Sequence, residues 1–592
     1  MKEGKNMKNK ARFYQILSRI FIGFLFIGGF STFVIYDKGI SSTAYYFTII
    51  LALLSAALAY YFHKKYKRTI SVIFLKENWP NTIKRKVNLE DVKKYFSFMK
   101  KEKPDTYFID DQTWTDLDMN DVFLKVDNSI TTPGQHLLYT ILRSPLFQES
   151  KLKERDKIIE YLKANTNTRE NLQVALLDLG MQRNGNILEL FNKEKVNTKF
   201  KILYDFLGIM PLLILPFYFV YGSAILLPFI AMYFINTYIH YNIGRKIVDG
   251  VNSISYLGNL IVVSKEIAKD NNEELKSYIE ELKLNLRDIK GIGKHSVNIN
   301  RVEGLDVIGD YVNVLFLTKL RSYYKVVDKI YDYNENIKNI YRIVGELDSL
   351  ISIASYRERA KSYSKPEFVY KENSLKLVDA VHPLIESPVS NSISIDKSGI
   401  ILTGSNMSGK STFLRTVAIN ALFAQTIYTT LTKEYKGSMF KLLTSLSPED
   451  SVKKGKSYYL GEAEALLRIL NSFEEDITTL AMIDEIFRGT NPVERISASA
   501  EVLQYISKNN ALALVATHDL ELTEMPNDNY HCYYFSEDVD DKEGLKFDYT
   551  IKPGVSPTRN AIKLLKFIGY PNEIVEGANE RINNLVNKKT QI

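Results

Sequence analysis

The sequence predicts an α/β domain at the C-terminal end, joined to a largely α-helical region that carries four apolar runs in two hairpins. Three observations carry that prediction. An apolar strand, Ile400 to Thr403, runs into a glycine-containing loop and then a helical pattern. Two further apolar strands end in polar groups, one in Asp484-Glu485 and one in Thr517-His518-Asp519. Upstream, nearly uncharged stretches of membrane-crossing length alternate with long polar segments of helical periodicity.

A chain of 592 residues is too long for one domain, and its apolar content of 45% suffices for buried cores. The formal charge of +8 is uneven. Basic residues cluster at Lys2, Lys5, Lys8, Lys10 and Arg12, and again at Lys64, Lys65, Lys67 and Arg68. Because these clusters flank apolar runs, an anionic membrane surface explains them before nucleic acid does. The single cysteine, Cys532, excludes a disulfide framework and any cysteine-based metal site.

The first two apolar runs, Ile20 to Tyr36 and Ser42 to Phe62, contain no charged residue and each nears the roughly 20 residues a helix needs to cross a bilayer. Asp37-Lys38-Gly39-Ile40 links them, and the basic flanks place both ends in the cytoplasm. A signal peptide is the competing reading of the first run, but no small-residue cleavage site follows and a second apolar run comes at once. The second pair is Leu203 to Tyr221 and Ala224 to Tyr241, joined through Tyr221-Gly222-Ser223. Lys195, Lys199 and Lys201 precede it, and Arg245 and Lys246 follow, which again puts both ends in the cytoplasm. The alternative is a buried helical hairpin in a water-soluble core. Residues 64–201 and 243–365 read as helical, their apolar stripes being packing faces of long helices. Ser362 to Tyr370, with Pro366, reads as a linker.

Past the linker, Gly404, Gly409, Lys410 and Ser411 fill G-x-x-x-x-G-K-S between strand and helix. Such a loop wraps phosphates with backbone N–H groups at a helix N-terminus. Lys410 would reach the β- and γ-phosphates of ATP and Ser411 would ligate Mg²⁺. Asp484 would hold the same ion, and Glu485 would orient and activate the attacking water. His518, at the end of the third strand, would hydrogen-bond the γ-phosphate.

These residues resemble the ATPase domain of the MutS family. That family's G-P-N-M-G-G-K-S-T is matched by Gly404, Ser405, Asn406, Met407, Ser408, Gly409, Lys410, Ser411 and Thr412. Its D-E-x-x-R-G-T is matched by Asp484, Glu485, Arg488, Gly489 and Thr490, and its A-T-H by Ala516, Thr517 and His518. His382 to Glu386 resembles the entry to that domain, and Tyr549 to Pro571 the segment leading to its dimerising helices. Ser457 to Glu462 is similar to the family's S-x-F-x-x-E segment. The resemblance implies that Ser457 reaches the nucleotide of the opposite subunit in a homodimer. Phe108 to Leu146, with Thr131, Thr132, Gly134, Leu137, Leu138, Pro145 and Leu146, is similar to the start of the family's helical lever.

The resemblance implies an α/β P-loop domain of the ABC type, an all-α lever and, from the apolar runs, four transmembrane helices in two hairpins. The expected partition is a membrane hairpin at 1–63, a first lever segment at 64–201, a second hairpin at 202–242, a second lever segment at 243–365 and the ATPase domain with dimerising helices at 366–592. The second hairpin stands where the family carries a DNA-gripping clamp, and the first stands in place of the family's mismatch-reading domain. A membrane-anchored ATPase is therefore expected, with DNA as a candidate partner and a membrane-associated mechanical ATPase as the alternative.

Overall fold

The computed structural model describes the chain except for residues 1, 40–41, 83–84, 192–198, 290–305, 371, 397, 406, 447–457, 489, 525–528, 541–543, 557–560 and 590–592. The chain divides into two units. One comprises Met1–Lys86, Asn128–Leu138 and Ile158–Ser355; the other comprises Val87–Asp127, Tyr139–Lys157 and Tyr356–Ile592.

The first unit is helical among its described residues. It opens with two antiparallel helices, Lys2–Asp37 and Ser42–Asn78, of 36 and 37 residues. At about 1.5 Å per residue each exceeds 50 Å, well beyond a bilayer's hydrocarbon. They zip along their length. Ser18 donates to the carbonyl of Ala59, Thr32 meets Thr48, and Phe21 stacks on Phe62. Gly28 lets the helices close in, since a Cβ there would lie 3.2 Å from Ala52 Cβ.

The third apolar run departs from expectation. Leu203 to Tyr221 is not one helix but a 14-residue helix, Lys201–Ile214, then a 3₁₀ turn at Leu215–Phe217 and a short turn of helix at Tyr218–Tyr221. Pro211 and Pro216 explain the break, since each removes a backbone donor and crowds the preceding turn. Among the described residues, three helical stretches, not four, are therefore long and apolar enough to cross a membrane: Asn6–Asp37, Thr43–Asn78 and Gly222–Asn242.

The second unit is built on a six-stranded sheet. Its strands are β4 (Gly399–Thr403), β6 (Phe440–Ser445), β7 (Thr478–Asp484), β8 (Ala511–Ala516), β9 (Tyr530–Asp540) and β10 (Gly544–Pro553), in the order β10-β9-β4-β8-β7-β6. All neighbours are parallel except β9 and β10. Every residue of β4, β7 and β8 is buried, which accounts for their unbroken apolar character. A smaller sheet, in the order β1-β5-β2-β3, is formed by β1 (Glu367–Phe368), β2 (Leu375–Ala380), β3 (Asn391–Ile395) and β5 (Glu434–Gly437).

Segments from far upstream complete this unit. Asp116 accepts from Thr444 Oγ1 at 2.6 Å and from the Leu446 N–H at 3.0 Å, so the end of β6 is braced by a buried carboxylate. Arg143 lies over the Trp114 and Phe96 rings, 4.4 and 4.6 Å from their centroids, and pairs with Asp111 at 2.6 Å. Fully buried Arg357 donates to the carbonyls of Ile427 and Tyr428 and pairs with Asp156 at 2.7 Å. These carbonyls follow the end of the Lys410–Thr426 helix, where a cation also complements the helix dipole.

Candidate nucleotide site

The site is assembled at the ends of three adjacent parallel strands. Register places Leu402 of β4 beside Ala516 of β8, and Ala516 beside Asp484 of β7. The loop after β4, the Asp484-Glu485 pair and His518 thus emerge on one edge of the sheet, the usual place for ligands in open α/β folds.

The loop after β4 turns on two glycines. Gly404 has φ 141° and Gly409 has φ 108°, and a Cβ on Gly404 would lie 2.8 Å from the Phe535 carbonyl. Neither backbone state suits a larger residue. Gly409 caps the Lys410–Thr426 helix, whose first turn faces the cavity. Lys410 Nζ donates to the carbonyls of Gly404 and Ser405 at 2.7 and 2.8 Å, drawing the loop around its ammonium. Burial pulls that ammonium down to about 8, against the opposing pull of Asp484 and Glu485.

Ser411 Oγ donates to Asp484 Oδ2 at 2.5 Å. A hydroxyl and a carboxylate in contact form the oxygen donor set that suits Mg²⁺, which takes its remaining ligands from water and phosphate. Glu485 has φ 64° and Phe487 φ 60°, left-handed states that cost energy outside glycine and concentrate at functional sites. The Glu485 N–H donates to the Ala516 carbonyl at 2.8 Å, extending the β7–β8 ladder past the strand. Its carboxylate lies 3.1 Å from His518 Nε2 and 2.8 Å from Arg488 Nε. The hydrogen bond with His518, then the charge of Arg488, hold the Glu485 carboxyl below the usual carboxylate range.

A cavity of about 640 Å³ opens over these groups, lined by Ser405, Met407, Gly409, Lys410, Ser411 and Thr412 together with Asp484, Glu485 and Arg488. His382, Val389, Phe535 and Tyr549 also line it. His382 accepts the Leu384 N–H on Nδ1 at 3.3 Å, while burial holds its imidazole down to about 4 and therefore neutral. The ring proton then sits on Nε2, which is buried and has no hydrogen-bond partner among the described residues.

The structure thus brings Gly404, Ser405, Met407, Ser408, Gly409, Lys410, Ser411, Thr412, Asp484, Glu485 and His518 to one end of the sheet. Asn406, Gly489 and Ser457 lie outside the described residues. Two arginines support these groups, Arg488 from within the D-E-x-x-R-G-T match and Arg495 from outside every motif. Arg488 braces Glu485 as just described, and its Nη2 donates to the Asp484 carbonyl at 2.9 Å. Arg495 forms a two-pronged pair with Asp519 at 2.8 and 2.5 Å, fixing the turn that carries His518. An arginine four residues past Asn491, on the helix that follows the Asp484-Glu485 strand, was the available signal.

Comparison with known proteins agrees with this geometry. Residues 400–586 match the family model of MutS domain V. The chain is 28% identical over 393 residues to a DNA mismatch repair protein MutS of Petrotoga mobilis, covering 58% of this chain and 46% of that one. A DNA mismatch repair protein MutS of Leptospira interrogans is 26% identical over 359 residues, with 58% and 41% covered. One of Fusobacterium nucleatum is 24% identical over 534 residues, with 79% and 57% covered. The chain spans about half the length of the curated relatives it matches. Residues 400–586 are a MutS domain V, an ATPase domain of the ABC type, in a chain distantly homologous to MutS.

Proposed function

We propose that this protein is a membrane-anchored, MutS-like ATPase that works as a dimeric conformational switch. The observation that carries the reading is the convergence of Lys410, the Ser411–Asp484 pair and Glu485 on one cavity, with His518 bonded to Glu485. Lys410 exchanges its loop carbonyls for the β- and γ-phosphates of ATP. Mg²⁺ held between Ser411 and Asp484 would neutralise charge on those phosphates. Glu485 orients water for attack once its carboxylate is released from His518 and Arg488, whose hydrogen bond and charge keep it a weak base in the arrangement seen. His518, bonded to Glu485, is placed to exchange that bond for the γ-phosphate and so report its presence. Two ATPase heads close on ATP, with Ser457 reaching the partner's site, and hydrolysis reopens them. The long helical segments carry the motion toward the membrane helices, which keep the ATPase and lever domains in the cytoplasm.

DNA is the inherited candidate for a partner, because the relatives are named for mismatch repair. The alternative is a membrane-associated mechanical ATPase with no DNA role. It is favoured by a second apolar hairpin at 202–242, where the family has its DNA-gripping clamp. Steady-state hydrolysis by the detergent-purified full-length protein separates the two, measured with and without matched and mismatched duplex at two salt concentrations. Stimulation that fades with salt supports a genome-maintenance role. Hydrolysis indifferent to duplex supports membrane work.

A further inference from the structure

The broken third run is repaired from another helix, and the repair fixes the walls of a further cavity. Pro211 lacks an N–H, so the Leu207 carbonyl loses the donor it would have found one turn on. Asn236 Nδ2, wholly buried in the Leu226–Asn242 helix, donates to the Leu207 carbonyl at 3.2 Å and to the Leu315 carbonyl at 2.7 Å. Leu315 lies in the last turn of the Asp306–Phe316 helix, where carbonyls have no intrahelical partner. Tyr204, Leu317 and Leu320 form a small core beside it, packed by Leu207, Ile239, Ile243 and Ile247. The end of the Leu226–Asn242 helix is thereby held against the start of the Thr318–Asp332 helix.

A cavity of about 300 Å³ opens beside that core, a volume at the low end for small-molecule ligands. Ile247, Val248, Val251 and Leu320 give it an apolar wall. His240, Asn252, Asn313 and Lys319 add polar groups, and none of the described residues that line it is acidic. The Thr318–Asp332 helix starts here, from a left-handed Leu317 at φ 48° that has no side chain to cap it. Asn313, only 3% exposed, caps it instead: its Oδ1 accepts the Lys319 N–H at 2.9 Å and the Thr318 hydroxyl at 3.1 Å. With Oδ1 so engaged, the other end of that amide is a donor. Lys319 and the positive end of a 15-residue helix therefore meet at one cavity, an arrangement that favours an anion. The neighbouring carboxylates do not offset it. Asp205 is held by Arg321 at 2.9 Å and Lys325 at 3.2 Å, and Asp249 is exposed and outside the lining.

The position of the cavity along the chain says where such an anion would come from. The apolar stretch Gly222–Asn242 ends in residues that line it, His240 and Tyr241. A bilayer crossed by that stretch has its headgroup layer at the cavity. Arg245 and Lys246 follow in the sequence, so this is the cytoplasmic leaflet, whose lipids carry negative charge. The rim is open, with Tyr241 54% and Val248 46% exposed.

We propose that this cavity binds the headgroup of an anionic phospholipid. The phosphate sits at Lys319 and the first turn of the Thr318–Asp332 helix, and the glycerol and first methylenes lie along Ile247, Val248 and Val251. A free phosphate would use the polar side alone, whereas the apolar wall and open rim suit a lipid. The inference rests on the membrane reading above and names a ligand within it.

The test uses the full-length protein purified in detergent. Native mass spectrometry compares bound phosphatidylglycerol with phosphatidylcholine of the same acyl chains. Phosphatidylglycerol is expected to survive washing that removes phosphatidylcholine. Lys319→Glu should weaken its retention by roughly tenfold or more, and Lys319→Arg should keep it. Lys283→Glu, exposed on the Lys276–Asp288 helix and outside the cavity, should leave retention unchanged. Inorganic phosphate and glycerol 3-phosphate should compete only in large excess. Equal retention of the two lipids would overturn the proposal, and so would a loss in Lys319→Arg or Lys283→Glu as complete as in Lys319→Glu. Displacement by inorganic phosphate at the lipid's own concentration would overturn it in favour of a soluble anion. Release of the unsubstituted protein from native membranes by alkaline wash would instead sink the membrane reading.

Discussion

The two apolar hairpins are held together in different ways. The first closes on itself through Ser18 and Ala59, Thr32 and Thr48, Phe21 and Phe62, all within its own two helices. The second is closed from outside: its broken arm is satisfied by Asn236, and both arms are tied to the Asp306–Phe316 and Thr318–Asp332 helices by the Leu315 carbonyl and Arg321. The apolar part of that hairpin needs no polar group from elsewhere in the chain; only the extension of its second helix is tied outside, by Lys67 to Asp178 and Arg68 to Asn171. A hairpin whose polar groups are completed about 80 to 115 residues downstream cannot keep its geometry if those helices shift.

The same distinction orders the effects of mutation. The largest loss of stability is expected where a distant charge completes a buried end, and the ATPase unit holds the extreme case. Arg357→Met leaves Asp156 only Lys365 and takes a buried donor from the carbonyls of Ile427 and Tyr428, and should cost about 3–5 kcal/mol in chemical denaturation. Asn236→Leu should come next, leaving two part-buried carbonyls without their side-chain donor at roughly 1–3 kcal/mol in all, read as a lower thermal midpoint in detergent. Ser18→Ala, in the self-contained hairpin, removes a bond to a carbonyl already used by its own helix and should cost about 1 kcal/mol or less. If Ser18→Ala proved as damaging as Asn236→Leu, the contrast between the hairpins would collapse. A smaller, functional effect concerns pH. Lys410 sits near 8 in the folded chain, against an ordinary value of 10.5, so its positive charge is lost as pH rises through about 8. ATP-analogue affinity should fall over that range, and Lys410→Met should flatten the dependence.

How much of this was legible in the sequence follows from the same contrast. The loop Gly404 to Thr412, the Asp484-Glu485 strand end and His518 are motifs of fixed local spacing, and parallel register carries them to one sheet edge. The first hairpin was legible for the same reason. Pro211 and Pro216 stood in the third run and foretold its break, but hydropathy averages across a proline and the run passed as a span. What supplies the missing donor was not legible, because nothing local ties Asn236 to Leu315. Arg357 on the carbonyls after the P-loop helix, Arg488 on Glu485 and Arg495 on Asp519 are likewise pairings that only folding creates.

The central claim, that this unit is a working ATPase, is tested most directly by turnover of purified full-length protein beside Lys410→Ala and Glu485→Gln. The account predicts Mg²⁺-dependent hydrolysis by the unsubstituted chain and none by Lys410→Ala. Glu485→Gln should retain ATP without cleaving it. Normal turnover in either variant would contradict the assignment of the site.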